Sequence, residues 1–414
     1  MKQRRIGLCL CMLSAVFLLA GTETYAAEKN DSGDDISWED LSLEHSMELL
    51  YAEQFSVDYY EAPEENGDVD AELETADEAG ESAEDTEAAD ELYKLITIQE
   101  AGRFLVVPEG AEVPTGLEED ITVLQAPIQN IYLVATSAMD LFCAVDGLDA
   151  IALSGTDTDG WYVKPAKEAM ENGSIVYAGK YSAPDYELIL SKDCGLAIES
   201  TMIYHTPEVW EKLEGLGIPV LVERSSYEPH PLGRTEWMKL YGALLGEEQQ
   251  AEEEFQKQAD QLARIESEEG TGKTVAFFYI SSNGYANVRK TNDYVAKMIE
   301  LAGGTYIFND LDDDENSLST MNMDMEEFYA RAKDADYIIY NSTIDGELTT
   351  IEELLAKSAL LGDFKAVQDG NVWCTGKNLF QETTGLGDMI ADIHEMITSE
   401  DASLDELTYL HRLK

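Results

Sequence analysis

Residues 235–264 read TEWMKLYGALLGEEQQAEEEFQKQADQLAR. Trp237, Leu240, Tyr241, Leu244, Ala251, Phe255, Ala259 and Leu262 recur there at helical spacing. The stretch predicts a connecting helix over 235–270, broken or kinked at Gly246. Thirty helical residues would reach about 45 Å, the scale of a whole domain, so such an element suits a bridge between two lobes. On its N-terminal side, Asn130–Ala135, Ala150–Leu153, Ile175–Ala178, Leu196–Glu199 and Ile218–Glu223 read as strands, separated by helical stretches such as Ser137–Asp146, Tyr186–Lys192 and Glu208–Glu214. On its C-terminal side the strands Thr274–Ile280, Thr305–Phe308, Tyr337–Tyr340 and Asn371–Cys374 alternate with helices at Asp293–Leu301, Met325–Ala332 and Gly385–Met396. Short apolar strands separated by helices imply sheets covered on both faces. The fold class is α/β, with lobes at 121–234 and 271–400 and a C-terminal tail at 401–414.

Residues 27–120 form an N-terminal extension of helix and β-meander. Leu41, Met47 and Leu50 start an amphipathic helix in 38–60, which ends in the alternation Phe55, Val57, Tyr59. Tyr93–Ile98 and Arg103–Val107 form a hairpin across Gln99–Gly102. Between the 38–60 stretch and this hairpin, 61–92 holds fifteen acids, no basic residue and no aromatic. Nothing there offsets the entropy of ordering the backbone, so this segment is expected to be a disordered excursion between paired strands 54–60 and 93–98.

The chain opens as an exported protein does. Lys2, Arg4 and Arg5 precede an apolar run, Ile6–Ala20, and small residues lead to Thr24-Tyr25-Ala26. This reads as a signal peptide over 1–26. The whole chain carries −57; losing the leader's net +2 would leave about −59. So acidic a surface repels phosphate backbones, which excludes nucleic acid as a partner. Cys143, Cys194 and Cys374 are scattered and odd in number, with no CxxC pair. They read as small buried hydrophobes, with a Cys143–Cys194 bridge left open.

The two lobes echo each other. Glu187-Leu188-Ile189-Leu190 leads through Lys192-Asp193 into Leu196-Ala197-Ile198, and Glu326-Glu327-Phe328-Tyr329 leads through Lys333–Asp336 into Tyr337-Ile338-Ile339. With Gly179-Lys180-Tyr181-Ser182-Ala183-Pro184-Asp185, Leu213–Val220, Leu240–Ala251 and Ile299–Gly304, the chain resembles the ABC-importer solute-binding proteins for ferric siderophores, haem and cobalamin over roughly 121–400. The resemblance implies two Rossmann-like lobes joined by a stiff helix, one ligand in the cleft between them, and no catalytic activity. It also implies a monomer that delivers its ligand to a permease dimer. Matched by position, Glu187 and Glu326 would dock the permease, although a first-turn acid is also favoured by the helix dipole. Gram-positive members usually carry a lipid-modified cysteine; here Leu19-Ala20-Gly21 is followed by Thr22, so cleavage near Ala26 and no lipid anchor are expected.

Ligands of open α/β sheets bind beyond the carboxyl ends of the strands. That rule selects Trp161 and Tyr162, Tyr204 and His205, Arg224 and Tyr227, Tyr285 and Arg289, and Lys377. Aromatics and scarce cations suit a large, partly planar, anionic metal chelate, with Arg224 and Arg289 as its main charge contacts. Other motifs fall away. Gly270-Thr271-Gly272-Lys273-Thr274 precedes a strand and lacks the earlier glycine of a phosphate loop. Asp310–Glu315 lacks the sixth-position glycine of a calcium loop. Three histidines, His205, His230 and His394, make a poor metal shell, so no metal or cofactor of the protein's own is expected. The alternatives carried forward are a cobalamin or metal-ion receptor, a sensory co-receptor, and a surface hydrolase on the same frame.

Overall fold

Five strands of the extension form one sheet in the order β1 (Ser42–Ser46), β2 (Phe55–Glu61), β3 (Tyr93–Ile98), β4 (Gly102–Val107) and β5 (Ile121–Gln125). The computed structural model describes residues 36–63, 91–311 and 319–414. The leader, most of the acidic segment 61–92 and part of the 310–315 loop therefore lie outside the described residues. Alternation sets the register: Phe55 opposes Ile98 and Val57 opposes Ile96. These four face the main core, while Tyr93, Leu95, Leu105 and Val107 fill a small second core on the other face with Leu41 and Ile121.

Two boundaries differ from expectation. Residues 41–50 do not form a helix; Ser42–Ser46 is an edge strand on β2, and His45 stacks on Tyr59 at 4.4 Å. The Leu41, Met47 and Leu50 spacing belongs to a strand and loop, because pairing with β2 satisfies the backbone that a short isolated helix would leave marginal. Strand β5, placed by the sequence in the first lobe, runs parallel to β4 in the extension.

The first lobe is a parallel sheet ordered β12 (Val220–Glu223), β11 (Ala197–Ser200), β6 (Ile131–Leu133), β7 (Ile151–Ser154), β8 (Val176–Tyr177). Helices α1 (Thr136–Ala144), α2 (Lys164–Asn172), α3 (Tyr186–Ser191) and α4 (Pro207–Gly215) accompany it, with the small pair β9 (Gly179–Lys180) and β10 (Ala183–Pro184) just before α3. The helical stretch then appears as α5 (Pro231–Leu245) and α6 (Glu248–Glu266), broken at Gly246 with φ 81°. Thirteen of the fifteen α5 residues are buried, which marks a helix enclosed on all sides. At Gly242 a Cβ would lie 2.7 Å from the Ala251 side chain, so only glycine lets α6 leave α5 so tightly.

The second lobe's sheet runs β16 (Thr320–Met323), β14 (Ala286–Arg289), β13 (Thr274–Ile280), β17 (Tyr337–Tyr340), β18 (Val372–Thr375), β19 (Leu410–Arg412), and β15 (Thr305–Tyr306) also pairs with β13. Its helices are α7 (Tyr294–Leu301), α8 (Met325–Ala332), α9 (Ile351–Lys357), α10 (Lys365–Asp369) and α11 (Leu386–Thr398). Residues 401–414 are not a free tail: β19 adds antiparallel to β18, burying Leu410 and Leu413.

The extension is fastened to α5 by two buried carboxylates. Glu236 accepts backbone N–H bonds from Leu50, Tyr51 and Ala52, each at 2.8 Å. Glu228 accepts those of Glu53 and Gln54 together with Trp237 Nε1. Gly233 permits the approach, since a Cβ there would sit 2.9 Å from the Tyr51 carbonyl oxygen.

Candidate ligand-binding site

The strand-end rule delivers some of its residues to a common space and misplaces others. Trp161 is 1% exposed, and its indole Nε1 donates to Ser154 Oγ at 3.1 Å. It is a prop inside the first lobe, because the ring fills core volume and its one donor finds a buried partner; a ligand would not reach it. Its neighbour Tyr162 is 44% exposed and carries the open face of that loop. Across the cleft Lys377 Nζ lies 5.8 Å from the Tyr162 ring centroid.

Arg224 is 6% exposed. It pairs with Glu100 at 3.2 Å and stacks on Tyr227 at 4.4 Å. Glu100 sits at φ 56° in the β3–β4 turn, so the extension itself reaches the end of β12. Arg224 is thus not a free ligand contact; its charge is met by Glu100 and its plane backs Tyr227. Tyr204, His205 and Tyr285 are exposed at their strand ends, with the Tyr204 ring 5.9 Å from Trp210.

Arg289 lines open space between the lobes. It faces Asp293 at 3.4 Å and stands over Phe380 at 5.1 Å. Burial pushes the Asp293 carboxyl up, partly offset by Arg289. Two open cavities share Arg289 and Phe380: one of about 490 Å³ includes Tyr227, Arg234 and Tyr294, and one of about 340 Å³ includes Tyr279, Asn287 and Asn341. A third, of about 410 Å³, lies between Tyr162, Lys377 and the 406–411 hairpin. Tyr204, His205 and Tyr285 line none of these three.

Sequence reasoning missed Arg234, Phe380 and Gln381. Arg234 stands in the first turn of α5, where a cation opposes the helix dipole; that mismatch was the one available signal. Gln381 clasps the lobes, its side-chain amide accepting from Tyr162 N at 2.7 Å and donating to the Gly160 carbonyl at 2.8 Å. Deeper in, Thr383 Oγ1 donates to the Ser137 carbonyl, and Thr384 bonds Asp140 through both backbone and hydroxyl. Glutamine carries no pattern that distinguishes a clasp from a loop. Gln381→Ala should speed hydrogen exchange through 155–162 and lower stability by about 1–2 kcal/mol, as loss of two neutral bonds would. Unchanged exchange there would remove the clasp from the account.

Cys143 and Cys194 are free thiols, so the bridge left open by the sequence is not made. Burial pushes them up to about 12 and about 11. Among the described residues, no group of three or more His, Cys, Asp or Glu side chains is placed to hold a metal ion, and no helix is long and apolar enough to cross a membrane.

The model of one family, described as periplasmic binding protein, matches residues 136–379. The chain belongs to the periplasmic binding protein family. This binding protein accordingly has the two-lobed fold and solute-binding character of its family, and is not an enzyme. It is 27% identical over 337 residues to an uncharacterized lipoprotein of Methanocaldococcus jannaschii, covering 77% of this chain and 75% of that one. A second lipoprotein of that organism is 24% identical over 341 residues, covering 78% and 83%. Among solved structures, a periplasmic haem-binding protein of Vibrio cholerae matches with TM-score 0.54 at 15% identity, covering 66% of this chain and 99% of that one. A periplasmic haem-binding protein of Pseudomonas aeruginosa matches with TM-score 0.52 at 18% identity, covering 69% and 98%. At these identities the likeness is one of fold.

Proposed function

We propose that this binding protein is the extracytoplasmic receptor of an ABC importer, taking an anionic iron chelate, a siderophore or haem, into the cleft and handing it to a permease dimer. The observation that carries the reading is the aromatic and guanidinium lining around Arg289. In a chain of net charge −57, it gathers Arg289, Arg234, Phe380, Tyr227 and Tyr279 about two open cavities that share Arg289 and Phe380. Planar organic ligands stack on such rings, and oxyanions take charge-assisted bonds from guanidinium. The haem-binding proteins of Vibrio cholerae and Pseudomonas aeruginosa share the frame, which supports haem as one of the candidates. The leader reading supports export to the outer face of the membrane.

Delivery is assigned to Glu187 and Glu326. Each is the second residue of its helix and exposed, and each helix is capped by an aspartate. Asp185 accepts from Leu188 N, and Asp324 accepts from Glu326 N and Glu327 N. Glu187→Arg and Glu326→Arg should each leave the chelate Kd within about two-fold while abolishing uptake of iron by cells that depend on the importer. Titration of the purified protein with ferric citrate, ferrioxamine B and haem, followed by tryptophan fluorescence, supplies the affinity. Uptake that survives both charge reversals would remove the docking roles, and a wild-type protein that binds none of the chelates would remove the iron reading.

A further inference from the structure

We infer that the α5 end of the cleft is an oxyanion subsite in which Arg234, with Arg289 beside it, receives a carboxylate arm of the ligand. This deepens the importer-receptor reading and rests on it for the identity of the whole ligand. The subsite itself stands on separate observations. Arg234 rises from the first turn of α5, a fifteen-residue helix. The positive end of the helix dipole makes this an unfavourable place for a cation unless an anion joins it. Yet among the described residues no carboxylate lies within ion-pair distance of Arg234. Its guanidinium lies instead over Tyr294, 4.1 Å from the ring centroid, and its buried Nε has no hydrogen-bond partner.

The acids nearby are already engaged. Glu228 is 3% exposed and spends its oxygens on Glu53 N, Gln54 N and Trp237 Nε1. Asp293 is 6% exposed, accepts from Val295 N and pairs with Arg289, while the Arg234 charge acts on it from beyond ion-pair distance. Two guanidinium groups thus line a cavity of about 490 Å³ beside the carboxylates of Glu228 and Asp293, and among the described residues neither carboxylate forms an ion pair with Arg234. A guanidinium braced by an aromatic face presents its fork in a set plane, which suits a planar carboxylate better than a compact ammonium would. Phe380 and Tyr227 on the same walls take the apolar framework that carries the arm. Hydroxycarboxylate chelates and the propionates of haem both supply such an arm; a cationic hydroxamate chelate does not.

The test compares wild type, Arg234→Gln, Arg234→Lys and Arg331→Gln. Arg331 pairs with Asp310 outside the cleft and controls for loss of a cation. Calorimetric titration would use metal-free citrate, ferric citrate, haem and ferrioxamine B. The subsite requires that Arg234→Gln weaken citrate, ferric citrate and haem at least ten-fold, and that Arg234→Lys recover only part of this. Ferrioxamine B should change less than two-fold, and Arg331→Gln should match wild type throughout. Wild-type affinity for the carboxylate probes in Arg234→Gln would overturn the subsite and leave the receptor reading intact. Binding of ferrioxamine B alone by wild type, or of no probe at all, would overturn it as well. Arg234-dependent binding of metal-free citrate with no binding of any iron compound would keep the subsite and remove the iron reading.

Discussion

Glu236→Ala is expected to destabilise the protein by about 3–5 kcal/mol, the usual effect of removing one partner from a buried, fully bonded charge. The side chain is 0% exposed and accepts three backbone N–H bonds from residues 50–52. It also meets Lys239 at 3.2 Å, itself 4% exposed. Bonds to a charged acceptor contribute about 1.5–3 kcal/mol each, so losing the set strands three amides and unbalances a lysine. Lys239 keeps Glu252 at 2.7 Å and the Glu48 carbonyl at 3.2 Å, which limits the damage to the loop and the α5 surface. Glu236→Gln retains an acceptor oxygen and should lose roughly half as much. Urea unfolding with hydrogen exchange at 50–54 measures both effects. An unchanged midpoint with those amides still protected would mean that the extension is held elsewhere.

Glu199→Gln should stabilise the protein at alkaline pH, by on the order of 3 kcal/mol near pH 9. Glu199 lies within β11 with 0% exposure, and neither carboxylate oxygen has a hydrogen-bond partner. Burial pushes it up to about 8. Its folded pKa thus lies above the ordinary 4.5, and the native state holds the proton longer than the unfolded chain. Stability from this group is complete below about pH 4.5 and declines as pH rises towards 8. His230 works the other way: burial and then Lys297 lower it to about 4, so its contribution is complete above about pH 6.5 and declines as pH falls to 4. Wild type should therefore be most stable between these limbs, and Glu199→Gln should flatten the alkaline limb alone. Parallel stability profiles for the two proteins from pH 5 to pH 9 would show that Glu199 is reached by water or a partner.

The alternation of apolar strands and helices from residue 130 onward was enough to read the lobes, the helical bridge and its break at Gly246, because each is written in local periodicity. The strand pairs 55–61 with 93–98 and 93–98 with 102–107 were readable for the same reason. Burial of polar groups was not, since a sequence shows that Trp161 or Arg224 follows a strand and that Glu199 lies in one, but not what packs over them. Trp161 became a prop because Ser154 lay within reach of its indole, and Arg224 was neutralised by Glu100, 124 residues away in the chain. Arg234 and Gln381 entered the cleft from a helix and a loop that the strand-end rule does not examine. Residues 42–46 and 410–412 joined sheets because partner strands were there to satisfy their backbones, which local spacing cannot register. The sequence by itself determined the fold class, through the period of its apolar residues. Only the tertiary structure decided which cations are paired within the chain, because pairing depends on distances between segments far apart in the chain.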